Sequence, residues 1–320
     1  MALGAVEAAR TLDPQARVTW LCGQLVRPLL EHVGTVDEIV AVDERALLTG
    51  GARARTREIG RAWRALAGRR FDLVVTAHTD PRYGVLTAAV RGRTRRSLRA
   101  RRALIPGRYE GDEYARLVHG VDGPDAEPAR LPRVSFPPAD DLLPPDGRTV
   151  MIAPGGAKNV LRDDGLRRWP LESYARVAAE LAARDLRVVV SGGPGDDWVR
   201  PAFAALPVVD LVGKTDLIEL ASTIQACDLL VTHDSGPMHL AFLARTPTLA
   251  LFGPTRPTDR LPHGARVRAL WGGDHLACRP CYDGRDYAPC SNNVCIQSLS
   301  PEAVAAEAVK MLAEPEAPPE

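Results

Sequence analysis

The stretch from Cys227 to Ala241, Cys-Asp-Leu-Leu-Val-Thr-His-Asp-Ser-Gly-Pro-Met-His-Leu-Ala, constrains this chain more than any other. It joins a buried strand directly to a helix start. Leu229 to Thr232 form a short apolar, partly β-branched run, the signature of a parallel strand covered on both faces. Asp234 or Ser235 is placed to cap the helix that follows, Gly236 lets a ligand come close to the backbone, and Pro237 suits the first helical turn, where a missing N–H costs nothing. A helix start of this kind carries unpaired N–H groups and about half a positive charge, so it favours phosphate. His239 lies about one turn in and can face the same ligand.

Taken alone, Asp-Ser-Gly-Pro reads first as an ordinary capped turn and His239 as a core histidine. The longer context points further. Pro247-Thr248-Leu249-Ala250-Leu251-Phe252-Gly253-Pro254-Thr255 is a second apolar strand ending in a Gly-Pro-Thr turn, so two neighbouring strand ends converge on one crevice. A chain of 320 residues with 45% hydrophobic and 25% charged residues can bury two cores of ordinary size. Its formal net charge of +1 gives no global field toward nucleic acid. No apolar run reaches the length of a membrane span and the first residues show no signal-peptide pattern, which leads us to expect a cytoplasmic protein.

The first half alternates strands at 17–22, 38–42 and 71–76 with helical stretches at 53–67 and 83–90, a βα pattern that implies a parallel sheet. The Pro-rich stretch 131–147 reads as an interdomain connection. The pattern resumes with Thr149-Val150-Met151-Ile152-Ala153 and Arg187-Val188-Val189-Val190, and a last helix at 301–313 precedes an acidic tail at 314–320 read as disordered. Glycine-rich turns end two of these strands: Gly155-Gly156-Ala157-Lys158, where the backbone can meet phosphate or sugar, and Gly192-Gly193.

The segment Thr232 to Thr255, with Arg167-Arg168-Trp169-Pro170, Gly192-Gly193-Pro194-Gly195-Asp196-Asp197 and Leu211-Val212-Gly213-Lys214-Thr215 upstream, resembles the heptosyltransferase family, the inverting glycosyltransferases of family 9 that extend the lipopolysaccharide core. The resemblance covers nearly the whole chain and is specific mainly in its second half. It implies an α/β chain of GT-B fold, two doubly wound domains facing across a cleft: an acceptor-side domain at 1–140 and a nucleotide-sugar domain at 148–300, with a Cys-rich loop at 274–298. It further implies transfer of a sugar, a heptose by family analogy, from an ADP-heptose-like donor to a lipopolysaccharide-core or other saccharide acceptor, with no cofactor required for catalysis. The donor-binding set expected on this basis is Gly155, Gly156, Lys158, Arg167, Asp196, Thr215, Asp234, Ser235, Gly236 and His239. In it Arg167 stands where the family has a diphosphate-binding lysine, Asp196 or Asp197 accepts from ribose hydroxyls, and Thr215 lies near the base. Without the resemblance, Asp196 and Thr215 read as helix caps.

One family element has no counterpart. Relatives begin with a strand and a Gly-Asp loop that carries the general base, whereas Met1 to Arg10 here already reads as the helix that follows. The catalytic base is therefore unassigned, and a start site placed too far downstream is expected. The alternative is a relative that binds the nucleotide sugar but lacks the base-bearing loop. An NDP-sugar epimerase of the same two-domain architecture fits the signature segment less well.

Two compositional features complete the reading. Seven arginines lie within 91–102; no aromatic residues interleave them as nucleic-acid binding would require, so they read as a solvated face or as a contact for an anionic glycolipid acceptor at the inner face of the membrane. Cys278, Cys281, Cys290 and Cys295 form a C-x2-C-x8-C-x4-C pattern, which in a cytoplasmic chain suggests a structural zinc or a redox-sensitive staple. Cys22 and Cys227 read as ordinary buried residues.

Overall fold

The computed structural model describes residues 1–98, 105–120, 128–144, 146–283 and 286–315, and divides them into two compact units. The first comprises Met1–Pro132 with 159–162, the second Arg133–Lys158 with 163 onward.

In the first unit, strand β1 (Thr19–Gly23) pairs in parallel with β2 (Glu38–Val42), and β3 (Arg70–Thr76) in parallel with β4 (Arg91–Ser97). Among the described residues no ladder joins the two pairs. Helices Gly4–Leu12, Arg27–Val33, Ala52–Leu66, Pro81–Leu86 and Glu110–His119 accompany them. Ala62 and Leu66 of the helix Ala52–Leu66 bury toward Val42, Leu86, Val40 and Val74, while its arginines stay outside.

The helix expected at 83–90 is shorter, Pro81–Leu86, with Asp80 capping it by accepting from the Arg82 amide. The basic run 91–97 forms β4, and Arg91, Arg93 and Arg95 are exposed on it, as a solvated face requires. Two of its arginines bind carbonyl groups: Arg95 donates to Thr87 and Val90, and Arg96 to Leu117 and Val118. Residues 99–102 lie outside the described residues.

The second unit holds a six-stranded, all-parallel sheet in the order β10-β9-β8-β5-β6-β7. Its strands are β5 (Thr149–Ala153), β6 (Arg187–Val190), β7 (Val208–Asp210), β8 (Leu229–His233), β9 (Thr248–Phe252) and β10 (Val267–Trp271). Every residue of β5, β8 and β9 is buried, as the near-continuous apolar runs require of strands covered on both faces. Helices Leu171–Ala182 and Pro301–Ala313 close one face through Tyr174, Val177, Leu181, Val304, Ala308 and Leu312. The described residues of the 131–147 stretch form no helix or strand, yet they are anchored: Phe136 is buried, and its backbone N–H and C=O pair with the Gln225 amide. Of the tail, residues 316–320 lie outside the described residues. No described helix is long and apolar enough to cross a membrane.

Candidate functional site

The strand order of the second unit reverses direction at β5, which has β6 and β7 on one side and β8, β9 and β10 on the other. Ligands of doubly wound sheets sit at that switch point, outside the carboxyl ends of the strands. Here the ends are stitched together, Ala153 opposite Thr232 in the ladder and the Thr232 hydroxyl donating to the Ala153 carbonyl at 2.9 Å. Two loops leave side by side.

The loop after β5 carries Gly155 and Gly156. Gly156 has φ +79°, a left-handed backbone, and a Cβ on Gly155 would meet the Asp196 carboxyl carbon at 2.5 Å. Asp196 is the reason for that close approach: its Oδ1 accepts from Gly156 N–H at 3.1 Å and its Oδ2 from Gly193 N–H at 2.8 Å. Each carboxylate oxygen thus accepts from the backbone, and Asp196 clasps the two glycine turns together. Asp197 is ion-paired with Arg200. Arg168 adds a second tie, its Nε and Nη2 donating to the Gly156 carbonyl at 2.9 and 2.7 Å. Lys158 is exposed, its backbone bridged to Asp163. Thr215 is half-buried; the cap of the helix Leu217–Gln225 is its neighbour Asp216, within a complete capping box.

The loop after β8 starts the helix Gly236–Ala244, with Ser235 at the N-cap position and Pro237 in the first turn. Contrary to expectation, no side chain caps this helix. The Ser235 hydroxyl turns back to lie 3.3 Å from that of Thr232, and Gly236 is exposed. The first amides of the helix are left to a ligand.

Asp234, 1% exposed, stands beneath that helix start. Its Oδ2 lies 3.5 Å from Arg167 Nη1 and 3.5 Å from Arg260 Nε, and its Oδ1 lies 4.0 Å from His239 Nε2. Burial works to raise its pKa, but the guanidiniums of Arg260 and Arg167 outweigh it, so the carboxyl titrates below its ordinary value and is ionised. Neither carboxylate oxygen completes a hydrogen bond, nor does His239 Nδ1 or the hydroxyl of Thr255. Burial holds His239 neutral, its pKa driven down to about 3.

Arg167 is fixed on three sides. Its Nη2 pairs with Asp164 at 2.5 Å, its Nη1 reaches the Asp234 backbone carbonyl at 3.4 Å, and its Nε donates to the Tyr287 hydroxyl at 2.6 Å. Behind the site the buried Tyr174 hydroxyl lies 3.1 Å from His233 Nδ1, and burial takes His233 to about 3 as well.

The fold thus brings Gly155, Gly156, Arg167, Asp234, Ser235, Gly236 and His239 to one corner. Arg260, Arg168, Tyr282 and Tyr287 join them without having been anticipated. Only Arg260 left a trace in the sequence, a cation shortly after the Gly253-Pro254-Thr255 turn.

The cysteines do not form the expected zinc site. Cys278 and Cys290 are exposed, Cys281 is intermediate, Cys295 is buried, and all four are free thiols. Among the described residues no three His, Cys, Asp or Glu side chains gather to hold a metal ion. Cys295 is packed onto glycine backbone instead, so close that a Cβ on Gly272 would lie 2.1 Å from its carbonyl oxygen. Burial, with the neighbouring cysteines, pushes the Cys281 and Cys295 thiols up.

Comparison with known proteins converges on the same part of the chain. Residues 139–291 match the model of glycosyltransferase family 9 (heptosyltransferase). Lipooligosaccharide heptosyltransferase 2 of Campylobacter jejuni is 32% identical over 152 residues, 46% of this chain and 47% of that protein. The chain therefore matches about half the length of this curated relative. Among solved structures, the family 9 glycosyl transferase of Veillonella parvula superposes with a TM-score of 0.76 at 21% identity, covering 97% of this chain and 92% of the other. The ADP-heptose LPS heptosyltransferase II of E. coli gives 0.71 at 19%, covering 97% and 94%. These likenesses establish the GT-B fold.

Proposed function

Since the chain belongs to glycosyltransferase family 9 through residues 139–291, we propose that it is a heptosyltransferase that transfers its sugar, with inversion, from an ADP-heptose-like donor to a saccharide of the lipopolysaccharide core. The uncapped helix start at Gly236, set over the Arg167–Asp234–Arg260 cluster at the β5/β8 switch point, is the observation that carries this reading.

In the proposed reaction the acceptor hydroxyl oxygen bonds to the anomeric carbon while the bond from that carbon to the diphosphate oxygen breaks. The acceptor proton passes to a base that no residue here is assigned to supply. Negative charge grows on the departing diphosphate as an oxocarbenium-like centre forms. Oriented donors aimed at such charge contribute most where water is excluded. Ser235 and Gly236 amides supply them with no side chain to displace, Arg167 adds a cation, and the neutral imidazole of His239 can donate one more hydrogen bond. The Gly155–Gly156 loop, clasped by Asp196, offers backbone to the other side of the donor. No cofactor enters this scheme. With a lipopolysaccharide-core acceptor, the proposed reaction runs at the cytoplasmic face of the inner membrane.

The test is a titration of nucleotide sugars, ADP-linked and UDP-linked, against the parent chain, Arg167→Ala and Asp234→Ala, with thermal denaturation to confirm folding. The parent is expected to bind an ADP-linked sugar. Each substitution should weaken that binding by about tenfold or more, the loss of one charge-assisted contact or of the residue that holds it. Equal affinity in all three would remove the diphosphate from this corner.

A further inference from the structure

Four side chains and the buried Asp234 carboxylate close a ring. Asp234 touches Arg167 and Arg260 through one oxygen; Arg167 donates to Tyr287; the Tyr287 and Tyr282 rings lie 4.8 Å apart; and the Arg260 guanidinium stands 5.3 Å from the centre of the Tyr282 ring. We infer that Arg260 is a second cation for the donor diphosphate and that Tyr282 and Tyr287 are positioning residues that aim the two guanidiniums, an inference that rests on the heptosyltransferase reading.

The ring is unlike a finished structural salt bridge. A paired arginine and carboxylate normally meet at about 2.8 Å in a two-pronged contact. Here both arginines stop at 3.5 Å from the same oxygen, and Asp234, almost wholly out of water, has the Thr255 hydroxyl beside it without a well-aligned hydrogen bond. A buried polar group left in that state calls for an explanation. Sharing one oxygen keeps two guanidiniums within reach of the same carboxylate, two cations for a ligand of two phosphates.

The tyrosines come from a hairpin of the Cys-rich loop. Tyr282 and Tyr287 are backbone partners across it, Ala288 N–H donates to the Cys281 carbonyl, and the amides of Cys281 and Tyr282 both donate to the Pro254 carbonyl. Pro254 lies in the loop that leaves β9 and leads to Arg260. The root of the hairpin is held by Arg279, whose guanidinium lies 3.9 Å from the Trp271 ring centre and donates to the Trp271 and Gly272 carbonyls. The hairpin is therefore tied to the segment that carries one arginine and hydrogen-bonded to the other. An arginine aimed before the ligand arrives loses less freedom on binding. Burial raises the Tyr287 phenol to about 12, so it stays neutral and accepts from Arg167 across the working pH range.

The experiment uses the full chain and three probes, inorganic pyrophosphate, ADP and AMP, with binding measured by calorimetry for the parent, Arg260→Gln, Arg260→Lys, Tyr287→Phe and Arg167→Ala. Arg260→Gln is expected to weaken ADP and pyrophosphate about tenfold or more and AMP less, so that the ADP-over-AMP preference falls, with Arg260→Lys recovering part of the loss. Tyr287→Phe, which keeps the ring and removes only the hydroxyl, is expected to lower the same preference by about threefold without changing the melting temperature. A purely structural ring would move melting temperature and leave the preference alone. If Arg167→Ala loses ADP while Arg260→Gln, Arg260→Lys and Tyr287→Phe keep the parent's preference, the second cation and its aiming residues are refuted and the heptosyltransferase reading stands. If the parent binds neither ADP nor pyrophosphate, both fall.

Discussion

The residues around Asp234 show how burial and neighbouring charges move the pH at which a group changes its charge. His233 is the clearest case, because it is fully buried, its Nδ1 meets Tyr174, and burial takes it from an ordinary value of 6.5 to about 3. As pH falls through 6.5 the unfolded chain takes up a proton on this imidazole, whereas the folded chain does not until about 3. The contribution to stability is therefore whole above 6.5 and lost on acidification through that window. By pH 5 the loss from one such histidine is about 2 kcal/mol. Urea denaturation at pH 7 and pH 5 is expected to show that loss in the parent, and a loss smaller by about that amount in His233→Asn. Equal losses in the two proteins would mean that this imidazole is not held neutral. Asp234 makes the opposite case. Its replacement by Ala leaves Arg167 and Arg260 facing each other out of water, so the same denaturation at neutral pH is expected to show Asp234→Ala less stable by about 3 kcal/mol or more; a stability unchanged from the parent would mean that the arginines do not rely on it.

At the scale of elements, the two glycine turns work as one unit because Asp196 ties them. Removing its carboxylate strands the amides of Gly156 and Gly193, at a cost of about 1–3 kcal/mol. Gly155→Ala drives a methyl group into that same carboxylate, so the double variant Gly155→Ala/Asp196→Ala should lose less stability than the two single losses added together, since the clash is gone. Strict additivity in chemical denaturation would show that no clasp exists. This unit also marks what the sequence could reveal. The strands at 149–153, 187–190 and, one residue short, 229–232 and the helix Pro301–Ala313 were legible, because continuous Val, Ile and Leu runs and a Ser-Pro helix start encode them locally. Strand β4, Arg-Gly-Arg-Thr-Arg-Arg-Ser, was not, since nothing local favours a strand there and β3 supplies the ladder. Asp196 was legible as an acid after a glycine turn, but a ribose acceptor and a backbone clasp leave the same trace. Arg260 and Tyr287 reach Asp234 and Arg167 only through the fold, Tyr287 across 120 positions of sequence, and no periodicity carries that information. The cysteines misled because spacing fixes which thiols could share a metal without fixing where their side chains point.

For the whole molecule, a net charge of +1 conceals an uneven distribution. On the helix Ala52–Leu66, Arg53, Arg57, Arg61 and Arg64 are exposed along one open groove with Thr56 and Gly60. Arg61 is spent on Glu58 and the Ala41 carbonyl, whereas Arg53, Arg57 and Arg64 form no ion pair among the described residues. With the arginines of β4 partly turned to carbonyl groups, this helix is the stronger candidate for the anionic contact that the basic run 91–102 led us to expect. Each cation near an anionic bilayer contributes about 1 kcal/mol, and the attraction fades within a Debye length of about 10 Å at 0.1 M salt. Full-length protein sedimented with vesicles containing phosphatidylglycerol is expected to bind at low salt and to release as salt rises, while purely zwitterionic vesicles leave it in solution. Replacing Arg53, Arg57 and Arg64 together with alanine should weaken that binding about a hundredfold and leave the melting temperature unchanged, because all three side chains are exposed. Retention of the parent's affinity by the triple variant would move the contact elsewhere on the first unit. Binding that ignores salt would deny its electrostatic origin altogether.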